Sequence, residues 1–414
     1  MDDGLTIIDA SGQNQCHPCE IRRVDSMAVI FQALKDAKTG CKKIVMFGAK
    51  HSQAGQVCHD GAIALDMNPY NRILQLDLNK KQITVESGIQ WREIQEVIHP
   101  HGLALQVMQF VNTFSVAGSM SANIFSRDPR RSRLIELIVS FTLINADGEI
   151  IRCSRHENDE LFTLAIEGHG LFGVIAEVTI QLILNTLLIP QTFTFSPCEY
   201  LQHVTYRQRK GAAVVYHQAQ YLLSEEPFME HITATNFYEI SVVENSLAHA
   251  FTRHELMTAT REMELKFWDP IASDSLLGFF IPVKSFLKFH EALKSILRQT
   301  SLNIFKCSLN DLPSHQESFL SPSLGSCIKV ALFFRQEGGA EGKKAADALK
   351  ENCALATVDA GGTIYLTFDF KASAVQMDLF YPKWRKFLAK KRRYDPKEIF
   401  YNQFYEKLCR LLAH

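Results

Sequence analysis

Short runs of alternating apolar and polar residues fill the first 185 residues, and most runs end at a glycine or another turn-forming residue. Alternation with a period of two predicts half-buried strands, whereas apolar residues spaced three and four apart predict helices. The pattern is typical of an α+β domain. Strands are predicted at 43–47, 62–67, 73–77, 82–86, 134–145, 149–153 and 174–184. Helices are predicted at 91–99 and 156–166.

The pattern changes after about residue 186, where strands alternate with longer amphipathic helices. This arrangement predicts a second domain built on a mainly antiparallel sheet. The basic tail, 376–414, is predicted to be helical, and Pro396 is expected to end one helix before another element at 398–412. Strands of the second region are predicted at 213–222, 237–243, 279–283, 327–334 and 363–368. Its helices are predicted at 283–297 and 340–352.

Charge and composition exclude several classes of protein. The 414 residues include 44 Lys+Arg and 45 Asp+Glu, so the net charge of −1 argues against a nucleic-acid protein held by phosphate contacts. No apolar stretch is both long and uninterrupted enough for a transmembrane segment. The acidic start of the chain lacks the basic residues of a secretory signal, which favours a cytoplasmic protein and leaves export without a cleavable signal open.

The ten cysteines are scattered, which does not fit a disulfide scaffold. Cys16 and Cys19 have the spacing of half a zinc site, but no second closely spaced pair completes the four ligands. We therefore predict reduced thiols and no metal.

Three glycine-containing segments carry the chemistry. At 48–56 two glycines flank polar residues, and such a turn presents consecutive backbone N–H groups that suit a pyrophosphate. At 113–123 small and hydroxyl-bearing residues leave room for a flat ligand, or allow tight helix packing. The segment 168–173 reads G-x-G-x-x-G. Because a predicted helix precedes it and a strand follows, it does not match the Rossmann fingerprint, which needs the reverse order.

Taken together, these segments resemble the FAD-binding oxidoreductases of the vanillyl-alcohol oxidase / p-cresol methylhydroxylase (PCMH) type. The landmarks at 48–56, 88–91, 116–123 and 168–175 occur in the family's order over residues 20–185, and 361–367 and 392–396 extend the match. The likeness is nearest to the branch that includes the aldonolactone oxidases and decaprenylphosphoryl-ribose oxidase.

The resemblance implies a fold and a division of the chain. A PCMH-type FAD-binding domain of two α+β subdomains is expected at 1–185. A substrate or cap domain with an antiparallel sheet and helices is expected at 186–375. The helical segment 376–414 is expected to return to the FAD domain.

The resemblance also implies which residues hold the cofactor, FAD. His51 stands where many relatives carry the histidine bonded to the flavin 8α-methyl group, so covalent attachment through His51 is one alternative and a simple hydrogen bond in the turn is the other. The implied cofactor-binding residues are Gly48, Ala49, Lys50, His51, Ser52, Gln53, Gln56, Met67, Gly88, Val116, Gly118, Ser119, Ser121, Ala122, Asn123, Gly170, Gly173, Val174 and Ile175.

The sequence departs from the family where catalytic groups are expected. Phe125 and Ser126 stand where relatives usually have His-Gly, and Phe368 stands where the ribose-oxidase branch places a lysine. Alcohol oxidation needs a base for the substrate hydroxyl, and Asn402 fits a position that relatives use for a polar residue against the flavin ring. The candidates for these catalytic roles are Tyr216, His217, Asp369, Lys371, Tyr401 and Asn402.

The expected function is an FAD-dependent oxidoreductase acting on CH–OH groups, an oxidase or dehydrogenase. Hydride would pass from an alcohol carbon of a sugar- or polyol-like substrate to flavin N5, and oxygen or a carrier would accept the electrons. The apolar residues Phe125, Phe368 and Phe370 favour an alternative, a catalytically altered flavin-fold protein that acts as a binding or interaction module. An effector or scaffold without FAD is a third possibility.

Overall fold

The structure is a computed structural model, and it describes residues 5–109, 111–210, 213–240, 250–257, 273–322, 324–336 and 339–413. Two groups of sheets stand out, one formed before residue 185 and one after it. The predicted α+β class is confirmed.

The first group contains a parallel three-stranded sheet with the order β3-β5-β4, and helix α1 packs on it. Apolar residues of α1 spaced three and four apart, Ile30, Ala33, Leu34 and Ala37, are buried. The strands are β1 Ile7–Ile8, β2 Gln15–Cys16, β3 Glu20–Arg23, β4 Ile44–Phe47 and β5 Ile63–Asp66. The helix α1 is Met27–Thr39.

An antiparallel five-stranded sheet with the order β10-β9-β11-β7-β6 completes this group. Buried and half-buried residues alternate along the second part of β11, as expected where one face of a strand is buried more deeply than the other. The strands are β6 Ile73–Asp77, β7 Gln82–Glu86, β8 Leu103–Ala104, β9 Ile138–Ile144, β10 Ile150–Ser154, β11 Val174–Gln181 and β12 Ile183–Leu184. The helices are α2 Trp91–Ile98, α3 Val116–Ser121 and α4 Asp159–Ala165.

The second group is one antiparallel eight-stranded sheet with the order β16-β13-β15-β14-β18-β19-β17-β20. Its strands are β13 Leu187–Phe195, β14 Val214–Tyr221, β15 Ile232–Glu239, β16 Phe251–Thr252, β17 Ser273–Pro282, β18 Asn303–Leu312, β19 Cys327–Gln336 and β20 Thr363–Ile364. Its helices are α5 Pro197–Lys210, α6 Arg253–Leu256, α7 Phe286–Gln299 and α8 Ala340–Asp359.

The tail forms α9 Ala374–Phe380, α10 Trp384–Tyr394 and α11 Gln403–Leu412, and it returns to the first group of sheets. The backbone N–H of Ile44 in β4 donates to the carbonyl of Ile399 at 2.7 Å, and Tyr401 N–H donates to the carbonyl of Ile44 at 3.2 Å. The boundaries 1–185, 186–375 and 376–414 stay a prediction. Among the described residues, no helix combines the length and apolar character needed to cross a bilayer.

The sequence-based elements agree with the structure in most places and differ in a few. The predicted strand at 134–145 begins as a 3-10 helix, Leu134–Leu137, because the Glu136 carboxylate accepts from the backbone N–H groups of Ser132 and Arg133. The predicted strand at 363–368 ends at Ile364, where the chain turns. The part of the predicted strand 237–243 beyond residue 240 lies outside the described residues. Strands β1, β2, β3, β8, β13, β16 and β18 and helices α1, α5 and α6 were not predicted.

Candidate active site

A long cleft of about 1060 Å³ runs through the first group of sheets, and we call it the N-terminal cleft. Its walls come from β4, the turn after β4, helix α3, the glycine turn before β11, and the start of the tail helix α11. The lining residues are Ile44–Phe47, Gly48, Ala49, Lys50, His51, Ser52, Gln56, Val57, Met67, Ser87, Gln109, Phe114, Ser115, Ala117, Gly118, Ser121, Ala122, His169, Gly170, Gly173, Val174, Ile175, Thr367 and Asn402.

Close packing of two turns forms one wall of the N-terminal cleft. A Cβ atom at Gly48 would lie 2.4 Å from the Ser115 Oγ, so only glycine fits there without a shift. Ser115 is the N-cap of α3, and its Oγ accepts a hydrogen bond from the Gly118 N–H. The glycine after β4 therefore lets the turn lie directly against the cap of α3.

The turn after β4 offers backbone donors to the cleft. Among the described residues, the N–H groups of Gly48, Ala49, Lys50 and Ser52 donate no hydrogen bond within the chain. Lys50 has a φ of 57°, and a residue in the left-handed region within a turn is typical of the concave nests of N–H groups that bind anions. Such a nest suits an anionic group such as a phosphate.

Two buried side-chain atoms in the cleft wall also lack a partner. The Ser87 Oγ and the His169 Nε2 have no hydrogen bond among the described residues, although both side chains line the cleft. Burial lowers the pKa of His169 to about 3, so its imidazole is neutral at physiological pH. Buried polar atoms are normally satisfied, so these two indicate that a polar ligand completes the cleft.

The tail fixes the two loops at this end of the N-terminal cleft. The Asn402 Nδ2 donates to the carbonyls of Gln56 and His169, both at 3.0 Å, and its Oδ1 accepts from the Tyr405 N–H as the N-cap of α11. Because both polar atoms are engaged, Asn402 positions the loops rather than reaching toward a ligand.

A second cavity of about 1560 Å³, which we call the sheet cavity, lies between the first group of sheets and the eight-stranded sheet. Side chains of β14, β15, β17, β18 and β19 form one wall, and neutral amides and hydroxyls predominate there. The lining residues are His51, Gln53, Gln109, Val111, Phe114, Phe125, Arg127, Gln218, Ala219, Gln220, Thr233, Thr235, Leu276, Lys306, Ser308, Leu309, Asn310, Lys329, Phe333, Tyr365, Thr367 and Phe368.

The two cavities meet at His51, Gln109, Phe114 and Thr367, which line both. The His51 ring stacks on Phe114 with centroids 3.8 Å apart and an angle of 13° between the planes. Its Nε2 lies 3.5 Å from the Thr113 Oγ1. Burial lowers the pKa of His51 to about 4, so an unprotonated imidazole stands at the junction.

Most of the residues predicted to bind the cofactor line the N-terminal cleft, but five do not. Gln53 lines the sheet cavity instead. Gly88 lies in close contact with the backbone, since a Cβ there would lie 1.8 Å from the carbonyl oxygen of Met67. Val116 is buried in the core. The Ser119 Oγ accepts from the Trp91 indole N–H, and the Asn123 side chain bonds to Ile135 and Glu167, so these residues shape the wall from behind.

Two predicted catalytic residues of β14, Tyr216 and His217, do not line the sheet cavity. The Tyr216 hydroxyl accepts from Arg127 at 2.9 Å, and it is Arg127 that reaches the lining. His217 lies on the opposite face of the strand from Gln218 and Gln220, where it contacts the Tyr200 hydroxyl at 3.1 Å and Asn236 at 2.8 Å. Burial lowers the pKa of His217 to about 4.

Asp369, Lys371 and Tyr401 also lie outside both cavities, since each is engaged elsewhere. Asp369 accepts hydrogen bonds from Lys350 and Lys407, and although burial favours its neutral form, these two lysines hold its pKa below the ordinary value. Lys371 is 45% exposed and pairs with Asp347 at 3.1 Å. The Tyr401 ring packs against His59 and Tyr405.

Several lining residues were not predicted from the sequence. Lys306 and Lys329 enter the sheet cavity from β18 and β19, and Arg127 enters from the loop after α3. Ser87, Gln109, Phe114 and His169 line the N-terminal cleft. A signal was present for His169, which lies inside the G-x-G-x-x-G segment, but strand lysines have no comparable local signature.

The comparisons with known proteins agree with this geometry. Residues 20–154 match the family described as the FAD binding domain. The chain therefore carries an FAD-binding domain, and its cofactor is FAD, as the resemblance predicted.

Three curated relatives are named as oxidases or dehydrogenases of lactones. The chain is 30% identical over 196 residues to L-gulonolactone oxidase of Mus musculus, a match that spans 47% of this chain and 44% of that protein. It is 29% identical over 193 residues to L-galactono-1,4-lactone dehydrogenase 1 of Oryza sativa subsp. japonica, covering 46% of this chain and 33% of that protein. D-arabinono-1,4-lactone oxidase of Kluyveromyces lactis is 25% identical over 177 residues, or 42% and 34% of the two chains. The match thus spans less than half of each of these relatives.

The residues of the N-terminal cleft fit FAD. The free N–H groups of the turn after β4 suit the pyrophosphate, and the glycine-lined walls admit an extended ligand. The partnerless Ser87 Oγ and His169 Nε2 offer a donor or acceptor to a polar ligand such as the dinucleotide.

Proposed function

We propose that this protein is an FAD-dependent oxidoreductase that oxidises a CH–OH carbon of a sugar- or polyol-like substrate, with oxygen or a carrier as the electron acceptor. The observation that carries the proposal is the junction of the two cavities, where four residues line both the cofactor cleft and the sheet cavity. When bound, FAD supplies the N5 atom that accepts the hydride. A cytoplasmic location belongs to the same proposal.

The neutral polar wall of the sheet cavity supports a substrate rich in hydroxyl groups. Gln218 and Gln220 of β14, Thr233 and Thr235 of β15, and Ser308 of β18 line adjacent strands. Amides and hydroxyls both donate and accept hydrogen bonds, so a row of them can orient successive hydroxyl groups. The names of the three relatives described above refer to sugar lactones and support the same class of substrate.

We also infer that His51 is the residue that would bond covalently to the flavin. Its imidazole is unprotonated, which a nucleophile requires, and it stands where the two cavities join. Acid precipitation of the purified protein tests this inference. We expect the yellow colour to stay with the pellet of the native chain, whereas colour in the supernatant would rule out the bond.

Anaerobic mixing with sugars, sugar acids, lactones and alditols tests the proposed function. We expect at least one compound to bleach the visible band of the bound flavin, because hydride transfer reduces it without oxygen. Dithionite serves as the control that the flavin is reducible. If dithionite bleaches the band and no member of the panel does, the oxidoreductase proposal fails.

The alternative is a flavin-fold protein that binds a ligand without oxidising it. The position of Phe125 and Phe368 in the wall of the sheet cavity favours this alternative, because these apolar rings occupy places next to the junction. It predicts ligand-dependent changes in the flavin spectrum without bleaching.

A further inference from the structure

The charged side chains of the sheet cavity are all basic. Arg127, Lys306 and Lys329 line it, and no aspartate or glutamate does so within the part of the chain that the structure describes. The whole chain is nearly neutral, with 44 basic and 45 acidic residues, so this local excess of positive charge does not follow from composition. An excess of one sign in a walled cavity favours a ligand of the opposite sign.

Lys329 is the most deeply buried of these three side chains. It is only 5% exposed, although it lines the cavity. Its neighbours across the sheet are uncharged, Asn310 on β18 and Phe280 on β17. Its Nζ lies 3.2 Å from the centroid of the Phe125 ring. Within the described part of the chain, the charged groups that act on this amine are all cations, and no carboxylate is among them.

The surroundings of Lys329 disfavour its charged form when no ligand is present. Burial lowers its pKa well below the usual value, and the positive charges of Arg127, Arg133 and Lys306 lower it further. Buried lysines are rarely retained without a partner. A bound anion would raise the pKa of Lys329 again, because its negative charge stabilises the protonated amine.

We propose that the sheet cavity recognises an oxyanion, a carboxylate or a phosphate, carried by the sugar-like substrate, and that Lys329 is its principal ligand with Lys306 and Arg127 beside it. The proposal rests on the proposed function, whose substrate it narrows to an acidic one. The amides and hydroxyls of β14 and β15 then bind the hydroxyl groups of the same molecule.

One consequence separates this role from simple packing. Because burial and the nearby positive charges lower the pKa of Lys329, a bound anion shifts that pKa upward, and anion binding is coupled to proton uptake by the amine wherever the pH lies between the two values. The groups that face it with charge are Arg127, Arg133 and Lys306, and none of them is acidic. Calorimetry in two buffers of different ionisation enthalpy measures the number of protons taken up per anion bound.

The experiment uses the full chain loaded with FAD and reads the visible spectrum of the flavin. D-glucuronate and D-glucose 6-phosphate are titrated separately, with D-glucose as the neutral counterpart of both. We expect at least one of the two anions to bind about tenfold or more tightly than D-glucose, with proton uptake. Tighter binding of D-glucuronate identifies a carboxylate as the ligand, and tighter binding of D-glucose 6-phosphate identifies a phosphate.

Three variants complete the test. Lys329→Met is expected to weaken anion binding roughly 10- to 100-fold and D-glucose binding far less, because the lost hydrogen bond is charge-assisted only with the anion. Lys329→Arg is expected to keep the preference for the anion, which also shows that the cavity has folded. Lys344→Met removes an exposed lysine of α8 and is expected to change nothing.

Three results would overturn the inference: neither anion outcompetes D-glucose, Lys329→Met leaves anion binding intact, or anion binding takes up no proton at any pH of a titration series. These failures differ from a failure of the proposed function. Anion binding without bleaching by any sugar would leave the anion site standing and remove the oxidoreductase activity. Bleaching by neutral sugars with no preference for anions would leave the oxidoreductase activity standing and remove the anion site.

Discussion

The N-terminal cleft and the sheet cavity share a boundary but are built from different parts of the polypeptide. The cleft is lined largely by backbone and small residues of three turns, and its donors are N–H groups such as those of Gly48 and Ala49. The sheet cavity is lined by long side chains that project from strands, including Gln218, Lys306 and Lys329.

This difference explains how one scaffold can keep its cofactor and change its substrate. Backbone donors persist when side chains are replaced, provided that the turns keep their shape. Side chains on a sheet wall can be exchanged one at a time without altering the strands that carry them. We therefore expect changes in the cleft to affect FAD binding, and changes in the sheet cavity to affect the substrate alone.

Gly48→Ala gives the strongest test of the backbone-built cleft. The added Cβ would lie 2.4 Å from the Ser115 Oγ and displace the cap of α3, so we expect FAD affinity to fall roughly 10- to 100-fold, the effect of an overpacking cost of about 1–3 kcal/mol. Quenching of flavin fluorescence measures the affinity.

Two further variants control that test. Gly325→Ala adds the same methyl group where no atom lies within 4 Å, and it should leave FAD affinity unchanged. Ser115→Ala combined with Gly48→Ala removes the clashing oxygen and should restore part of the affinity. Equal loss in Gly48→Ala and Gly325→Ala would refute the packing argument.

Acid should lower the free energy of unfolding through two buried neutral histidines. One lies in the wall of the N-terminal cleft, and the other lies in the eight-stranded sheet. The pKa values of His169 and His217 are lowered to about 3 and about 4, whereas an unfolded histidine titrates near 6.5. The unfolded chain therefore binds protons first, and stability is lost as the pH falls from 6.5 toward the folded values. At pH 5 each histidine should cost about 2 kcal/mol of unfolding free energy.

Thermal unfolding at pH 7 and pH 5 checks this expectation. His169→Gln and His217→Gln should each show a smaller drop in the unfolding midpoint between the two pH values than the native chain. The exposed His101→Gln is the matched control and should show the native drop. A native drop in all three variants would mean that these histidines do not carry the acid sensitivity.

Asn402→Asp sharpens the distinction between positioning the cofactor loops and touching the ligand. Aspartate can still cap α11, but it cannot donate to the carbonyls of Gln56 and His169. We expect FAD affinity to fall about tenfold, since each lost hydrogen bond contributes about 0.5–1.5 kcal/mol. Asn310→Asp places the same added carboxylate in the sheet cavity and should leave FAD affinity unchanged. A comparable loss in both variants would contradict the division between the regions.

Lys371→Met and Tyr401→Phe should have the smallest effects. Neither side chain lines the N-terminal cleft or the sheet cavity, and Lys371 is an exposed partner of Asp347. We expect less than a twofold change in the rate of flavin reduction by substrate, as is usual for residues away from the reacting atoms. A tenfold loss in either variant would return that residue to the list of candidate bases.

The N-terminal cleft could be predicted from the sequence because the residues that form each of its turns are close together in the chain. Glycines and small residues cluster within nine residues at 48–56 and within eight at 116–123, so the turns that they form are visible without knowing the fold. Asn123 belongs to the second segment, but its side chain bonds to Ile135 in the interior. Gly88, from the landmark at 88–91, packs against the backbone of Met67.

The sheet cavity could not be predicted in the same way. Which face of a strand meets the cavity depends on its alternation and register, so His217 was taken as a candidate although its neighbours Gln218 and Gln220 reach the lining. Lys306 and Lys329 lie more than 80 residues from Gln218 in the sequence, and only the pairing of β14, β18 and β19 brings them together. Asp369 looked like a base because its two lysine partners, Lys350 and Lys407, are distant in the sequence.

Titration of the purified full chain with FAD tests the central claim most directly. The visible spectrum and flavin fluorescence report binding, and circular dichroism reports whether the chain is folded. We expect saturation at one FAD per chain, counting any flavin already bound, with much weaker binding by Gly48→Ala than by Gly325→Ala. A folded chain that carries no flavin and takes none up, or one that binds FAD equally well with alanine at position 48, would contradict that claim.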